Sequence, residues 1–401
     1  MICFKKITTA TYNVDGYYLG ESSQGLGYSN MIYIHLQLQD YEKNVDQRKV
    51  NMYFLEEPES HMHPQMQRVF IKYLLNKYQI DKTQSTKKDN SIKQNENAKY
   101  QLKIQGMITT HSDEMVRAGG ISRLRVSRHI ANFSSKLYDL STLVNELNKR
   151  TAEGDEELLN FFDWFFEVGF SEIVFADKVI FYEGDTERLF IRKVMMLEEY
   201  EKLRQQYIAF IQVGGAYAKN YEKLIRFLEI KSLIITDIDY EKMETEIDDI
   251  LNSKSTNATI NHFYKKSSSS ANGSCAQLYE WNKIKQGTLE DIIYVCFQTD
   301  EDGYARTLEE AMLNKYFSIQ VDRLFKKSEW EKKRTESKLK FSIPSKIAGK
   351  NTNDDTEMSV RNILVSTSGN KTDFMYSVIA HNYVKKMLPK YIEGGLKWLM
   401  E

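Results

Sequence analysis

The stretch Lys178-Val-Ile-Phe-Tyr-Glu183-Gly184-Asp185-Thr186-Glu187 decides how this chain folds. Its apolar run reads as a buried strand, and Glu183-Gly184-Asp185 turns that strand into a helix starting near Thr186. Glu183 stands at the strand end and Glu187 in the first helical turn. Farther on, Ser232-Leu-Ile-Ile-Thr236 reads as a second strand ending in Asp237-Ile238-Asp239, whose period-two spacing puts both aspartates on one side. Strands alternating with helices predict an α/β domain with a mainly parallel sheet. Carboxylates gathered at strand ends repel one another. A cluster of Glu183, Glu187, Asp237 and Asp239 therefore predicts divalent cations, its oxygen donors suiting Mg²⁺ or Mn²⁺. The matching chemistry is water activation and leaving-oxygen stabilisation in phosphodiester cleavage. Taken singly, the first motif is also a capping turn whose acids favour the helix dipole, and the second a surface turn. Two acid motifs at strand ends, in this order and spacing, weigh against coincidence.

Upstream, Val50 to Leu55 reads as another buried strand, stopping at Glu56-Glu57-Pro58. Helical spacing follows from Met66 to Tyr78 through Val69, Phe70, Tyr73 and Leu74, and Leu102 to Thr110 reads as a strand closing in Thr109-Thr110-His111-Ser112. Residues 81–99 between them are polar and read as a flexible insertion. Of the two carboxylates at the strand exit, one is placed to hold Mg²⁺ and the next to polarise an attacking water. The alternative is a pair of solvated acids. No G-x-x-x-x-G-K-[ST] occurs in the 401 residues, and Gly349-Lys350-Asn351 lacks the first glycine and the hydroxyl. A phosphate cradle needs those glycines so that backbone N–H groups can surround the anion. The expectation is that this polypeptide alone does not bind ATP in the usual way. ATP enters only if a phosphate-gripping lobe is supplied elsewhere, the chain being a truncated frame, half of a split protein, or a remnant.

The motifs together resemble a known arrangement. Glu56-Glu57-Pro58-Glu59-Ser60-His61-Met62-His63-Pro64-Gln65 and the later Thr109-Thr110-His111-Ser112 resemble the SMC-like branch of ABC ATPases. That resemblance implies Glu56 as the Mg²⁺-side acid, Glu57 as the catalytic glutamate, Ser60 to His63 as the D-loop and His111 as the switch histidine. Glu21 to Asn30 resembles a degenerate signature motif, implying nucleotide contacts from Ser23, Gly25 and Gly27. The Glu183 and Asp237 motifs resemble a TOPRIM domain, and the order ATPase then TOPRIM resembles the OLD (overcoming lysogenisation defect) family of ATP-dependent endonucleases, which includes the nuclease subunit of the Gabija antiphage system. Tyr304-Ala-Arg306-Thr307-Leu308-Glu309-Glu310-Ala311 and Gly369-Asn370-Lys371-Thr372-Asp373-Phe374 resemble further segments of that family. By resemblance Glu309 joins the metal-site acids, and Lys371 stabilises charge on the transferring phosphate. A two-ion nuclease is implied, Glu183 and Lys371 being catalytic, with the ATPase module as regulator or dimeriser.

Composition narrows the partners. Lys plus Arg total 55 against 56 Asp plus Glu, so bulk charge names none and a nucleic-acid surface must be local. Three cysteines without a C-x-x-C pair exclude a disulfide scaffold and a cysteine zinc finger. No apolar run nears the roughly 18 residues of a membrane span, and the start lacks a signal-peptide pattern. A cytoplasmic protein with no membrane partner is expected. Arg123 and Arg125, and the basic run 322–350 with Lys332, Lys333 and Arg334 interleaved with Phe325, Trp330 and Phe341, are candidate DNA contacts. The alternative for the run is a solvated helix face. The expected organisation is an ATPase part at 1–135, a helical connector at 136–172 and a TOPRIM nuclease domain at 173–401, with a second low-complexity loop at 264–276. Expected partners are DNA, a second copy through the ATPase module, and a helicase or a missing ATPase fragment. The rivals are a catalytically inactive remnant that assembles with a complete homologue, and a TOPRIM topoisomerase or primase.

Overall fold

The chain divides into two units, residues 1–172 and 173–401. The computed structural model describes residues 11–14, 17–20, 25–46, 48–78, 104–131, 133–149, 155–168, 171–214, 217–240, 245–268, 272–286 and 291–401. Ser23 and the polar insertion at 81–99 lie outside the described residues.

The first unit runs β1 (Thr11–Val14), β2 (Tyr17–Gly20), α1 (Leu26–Lys43), β3 (Asn51–Glu56), α2 (Pro64–Tyr78), β4 (Ile104–Thr109), α3 (Asp113–Gly119), β5 (Arg125–Ala131), β6 (Ser134–Asp139), α4 (Leu140–Lys149) and α5 (Asp155–Val168). β3 and β4 pair in parallel, Glu56 opposite Thr109, whereas β1–β2 and β5–β6 are antiparallel. Ile34 and Leu38 of α1 pack with Phe70, Ile71 and Leu74 of α2 and Met115 of α3. β3, expected to be a fully buried strand, instead alternates: Met52 and Phe54 are exposed because, among the described residues, β3 has one neighbouring strand and one covered face. The stretch expected to be helical from residue 136 begins as β6, whose Lys136–Asp139 pair with β5.

The second unit runs β7 (Lys178–Tyr182), α6 (Asp185–Val194), α7 (Glu201–Arg204), β8 (Ile208–Gln212), α8 (Glu222–Leu228), β9 (Lys231–Ile235), α9 (Ile247–Asn252), α10 (Ala258–Ser267), α11 (Cys275–Gln286), β10 (Ile293–Cys296), α12 (Leu308–Phe317), β11 (Phe325–Lys326), α13 (Lys327–Ser337), β12 (Lys346–Ile347), β13 (Lys350–Asn351), β14 (Glu357–Met358), α14 (Val360–Thr367), α15 (Lys371–Ala380) and α16 (Lys390–Met400). Its sheet has the order β10-β9-β7-β8, every pair parallel. This is the α/β architecture with a parallel sheet that the strand–helix alternation predicts. Buried apolar residues point to both faces, as a parallel sheet between helices requires. Ile180, Leu233, Ile235 and Cys296 pack with α16 through Ile392, Leu396 and Leu399. On the other face Phe181 meets Tyr221 at 5.0 Å. α16 lies so close that a Cβ on Gly395 would sit 2.9 Å from Leu233 Cδ1 and 3.0 Å from Cys296 Sγ, which is why a glycine occupies that helical position.

Two expectations change here. The low-complexity run 264–276 is helical at both ends, α10 reaching Ser267 and α11 starting at Cys275. The aromatics of the basic run are core: Trp330 and Phe341 are buried, and Trp330 meets Phe317, Phe325 and Phe341 edge-on. α13 is a basic helix anchored by one buried tryptophan, not a stripe of interleaved solvent-facing rings.

Candidate active site

β7 is flanked by β8 on one side and β9 on the other. The chain passes from β7 to β8 and then to the opposite side, so a topological switch point opens beside the carboxyl ends of β7 and β9, where open α/β sheets place their ligands. Glu183 and Asp237 follow those two strand ends. Glu183 is half-buried; its Oε1 accepts from the Thr236 hydroxyl and from Asp237 N–H at 3.1 Å. Gly184 then leads into α6, whose first turn holds Glu187. Asp237 Oδ1 accepts from Gln298 Nε2 at 2.5 Å. Asp239 adopts a left-handed backbone (φ 45°) and meets Arg306 at 3.4 Å. Glu309 comes from the first turn of α12, buried, with Oε2 3.1 Å from Lys371 Nζ of α15. Its Oε1 is buried with no hydrogen-bond partner.

These groups share one electrostatic field. Burial pushes Asp237 well above the usual carboxylate range, and Glu183, Glu187, Glu309 and Asp239 push it further. Burial also raises Glu183, outweighing its hydrogen bonds from Thr236 and Asp237, with Asp239 and Glu187 adding repulsion. Glu187 rises through burial and the Glu309 charge, opposed in part by Lys371. Burial pulls Lys371 down, but attraction to Glu309, and beyond it to Asp237 and Glu187, holds its ammonium above the ordinary value. The structure thus brings together Glu183, Glu187, Asp237, Asp239, Glu309 and Lys371. Among the described residues no three His, Cys, Asp or Glu side chains are grouped so that they could hold a metal ion as they stand.

The sequence alone assigns no role to the groups that hold these acids. Asn257 Nδ2 donates to Thr236 Oγ1 at 2.7 Å and to Asp237 O at 3.0 Å, while its Oδ1 caps α10. Gln298 sits just past β10, fully buried, between Asp237 and the Tyr391 hydroxyl, the latter 3.1 Å away. The one available signal was the run of polar residues, Gln298 and Thr299, closing an apolar strand.

The first unit carries the other set. Glu56 ends β3, and Glu57 follows with φ 41°, its N–H donating to Thr109 O at 3.0 Å. Glu57 Oε1 lies 3.1 Å from His111 Nε2, both side chains exposed. Glu59 Oε1 accepts from the Thr110 hydroxyl at 2.5 Å and from His111 N–H at 2.8 Å, tying the turn after β3 to the turn after β4. Gly25 precedes α1, and a Cβ on Gly27 would come 2.2 Å from His61 O. The start of α1 therefore packs on the Ser60–His63 turn, where Asn30 Nδ2 donates to Pro58 O and Ser60 O. Of the candidate DNA contacts, Arg125 pairs with Asp139 at 3.1 Å and Arg123 donates to Gly119 O. Lys332 faces Glu336 at 3.9 Å, and Lys333 lies 4.7 Å over each of the Phe317 and Phe325 rings. Arg334 borders a groove between the end of α13 and the start of α15.

Comparison with known proteins divides the chain the same way. Residues 3–116 match a model of the AAA ATPase domain, and residues 174–239 match the TOPRIM domain of overcoming lysogenization defect-like proteins. The chain is 29% identical over 402 residues to Endonuclease GajA of Bacillus cereus (strain HuB5-5). That similarity covers 94% of this chain and 53% of the relative, so the chain spans about half the length of that protein. The C-terminal region of the Burkholderia pseudomallei OLD protein is 18% identical and covers 56% of this chain and 98% of its own, with a TM-score of 0.29. This α/β chain thus joins an AAA ATPase segment to a TOPRIM domain of the overcoming lysogenization defect type.

Proposed function

We propose that the chain is a divalent-metal-dependent nuclease that hydrolyses DNA phosphodiester bonds at the cluster Glu183, Glu187, Asp237, Asp239 and Glu309. The carrying observation is that cluster itself: five acids and Lys371 gathered at a switch point, one buried Glu309 oxygen lacking any partner. These acids repel one another's charge, so they resist ionising together without added positive charge. The all-oxygen donor set and the orphaned Glu309 Oε1 fit Mg²⁺ or Mn²⁺, with Glu183, Asp237, Asp239, Glu187 and Glu309 as the residues that would hold two ions. The chemistry such an ion supplies when bound is charge neutralisation and acidification of water. Lys371 presents a permanent cation beside Glu309, placed to offset charge that builds on a phosphoryl oxygen. Thr236, Asn257 and Gln298 orient the carboxylates from behind, so that little reorganisation is left for the reaction.

In this reading the first unit is an ATPase-type module that regulates or dimerises, with Glu56 on the metal side, Glu57 as the water-polarising acid, His111 beside it and Gly25 and Gly27 near nucleotide. Similarity to Endonuclease GajA supports an endonuclease, and an antiphage role extends that likeness. A cytoplasmic location fits a DNA substrate; no described helix is long and apolar enough to cross a membrane. Cleavage of supercoiled plasmid by the full chain, with Mg²⁺ or Mn²⁺ and no ATP, tests the reading. Metal-dependent nicking that Asp237→Asn abolishes is expected. Nicking unaltered in that variant, or none by folded wild type, overturns it. The sequence lacks a phosphate loop, which favours a second reading, a regulatory remnant acting with a complete homologue; restoration of cleavage only when such a homologue is added would select it.

A further inference from the structure

A groove of about 420 Å³ lies in the second unit between the end of α13 and the start of α15, lined by Arg334, Lys338 and Lys340 on one wall and Asn370 and Asp373 on the other. Three cations face one acid there, and among the described residues none of the three forms an ion pair. Other exposed lysines of this unit are paired with carboxylates, as 283, 326, 385, 390 and 397 are, or stand apart from the groove, as 202, 265 and 315 do.

The basic wall is fixed in shape. Lys338 caps α13 in the left-handed region (φ 58°), and the buried Leu339 and Phe341 alternate with Lys338 and Lys340, turning both ammonium groups outward. Lys340 N–H donates to Ser377 Oγ at 3.0 Å and Ser342 N–H to Thr367 Oγ1 at 2.9 Å, so the segment is bonded to α15 and α14. The opposite wall also belongs to the acid site. Ser368 and Lys371, within the same turn as Asn370 and Asp373, line a second cavity of about 160 Å³ together with Arg306 and Glu309. One turn, Ser368–Asp373, thus separates the basic groove from the acid cluster.

We propose that this groove holds the sugar–phosphate backbone of the DNA strand next to the scissile bond, Arg334, Lys338 and Lys340 contacting successive phosphates. The inference rests on the nuclease reading above and extends it to the path of the substrate. An acid cluster repels a polyanion, and unpaired cations one turn away supply the opposing attraction. The groove's one ring, Phe341, is buried, so no aromatic face is offered to a base. Recognition is of backbone and independent of sequence. The basic run thereby divides: Lys333 serves the aromatic core, and Arg334, Lys338 and Lys340 serve the substrate.

The test is binding of a labelled DNA duplex and single strand by the full chain in EDTA, by fluorescence anisotropy across a salt series. Each phosphate contact contributes roughly 0.7 (single strand) to 0.9 (duplex) to the slope of log K against log salt. The triple variant R334Q/K338Q/K340Q is expected to bind with a slope shallower by about 2–3 and to melt with wild type. A control with the same charge loss, K202Q/K265Q/K315Q, is expected to keep the wild-type slope. An unchanged slope in the groove variant, or equal loss in the control, overturns the groove while leaving the nuclease reading intact. Wild-type binding whose slope falls in the groove variant, without metal-dependent cleavage, overturns the nuclease reading and with it the place beside a scissile bond, leaving the groove a contact to DNA backbone. No DNA binding by wild type overturns both.

Discussion

Gln298 shows how the site is held at the level of single atoms. Its Oε1 accepts from Ile238 N–H at 2.9 Å, and its Nε2 reaches both Asp237 Oδ1 and the Tyr391 hydroxyl. A glutamine amide has two N–H donors and one carbonyl, so the backbone bond fixes which end faces Asp237. Gln298→Leu would leave Asp237 Oδ1 and the Tyr391 hydroxyl without this partner inside the protein. Such a group costs about 1–3 kcal/mol, and urea unfolding is expected to show a loss of that order. Plasmid nicking should fall at least tenfold, because Asp237 loses its orientation as well. An active variant with only the stability loss would show that the glutamine is structural. The carboxylates were legible in sequence because acid motifs at strand ends form a pattern. Gln298 was not, since its meaning comes only from the parallel pairing that sets the end of β10 beside the end of β9.

At the scale of elements, α8 and α10 are clamped by one carboxylate. Glu222 is buried and accepts from Arg226 Nε at 2.8 Å, from His262 at 2.7 Å and from Lys266. Burial alone would raise its pKa, but the bonds from His262, Lys266 and Arg226 outweigh burial and hold it below the usual carboxylate range. A depressed acid contributes stability that is present above the unfolded value, about 4.3, and lost as pH falls through the folded value. Wild type should therefore exceed Glu222→Gln by about 1–3 kcal/mol at neutral pH. The gap should close as pH drops below the ordinary glutamate range, as thermal melts across a pH series would record. A gap independent of pH would assign the effect to packing. α13 offers a second element-scale test. Its charge pattern predicts a solvated basic helix, yet Trp330 is buried and donates Nε1–H to Met358 O at 3.0 Å. Trp330→Ala should cost about 3–5 kcal/mol in urea unfolding, far more than a surface aromatic would. Helix existence was readable here from composition; the inward tryptophan was not, because α13 presents so few apolar positions that no apolar stripe stands out from its lysines.

Over the whole molecule, the proposed reading gives the two units different halves of the chemistry. The second unit contains every acid of the proposed hydrolytic site together with Lys371. The first contains the Glu57–His111 pair and the turn joining Glu59 to Thr110, but no glycine-rich phosphate loop precedes them in the sequence. The acids after β3 were readable as a motif, whereas the exposure of Met52 and Phe54 was not, since periodicity reports which residues are apolar and not how many neighbours a strand finds. On the proposed reading, nucleotide binding and cleavage are therefore separable. A ligand that binds only the folded state at 100 times its Kd stabilises by about 2.7 kcal/mol. For a chain of this size that is a shift of several degrees in melting temperature. Because the 401 residues contain no glycine-rich phosphate loop whose backbone N–H groups could surround a triphosphate, millimolar Mg-ATP is expected to leave the melting temperature of the full chain unchanged. The rate of metal-dependent plasmid nicking should be the same with and without ATP. A clear upward shift in melting temperature with Mg-ATP, abolished by Glu57→Gln or His111→Ala, would show instead that the first unit grips nucleotide without a phosphate loop. In that case the remaining anion contacts would have to come from the backbone around Gly25 and Gly27, or from a second copy of the chain.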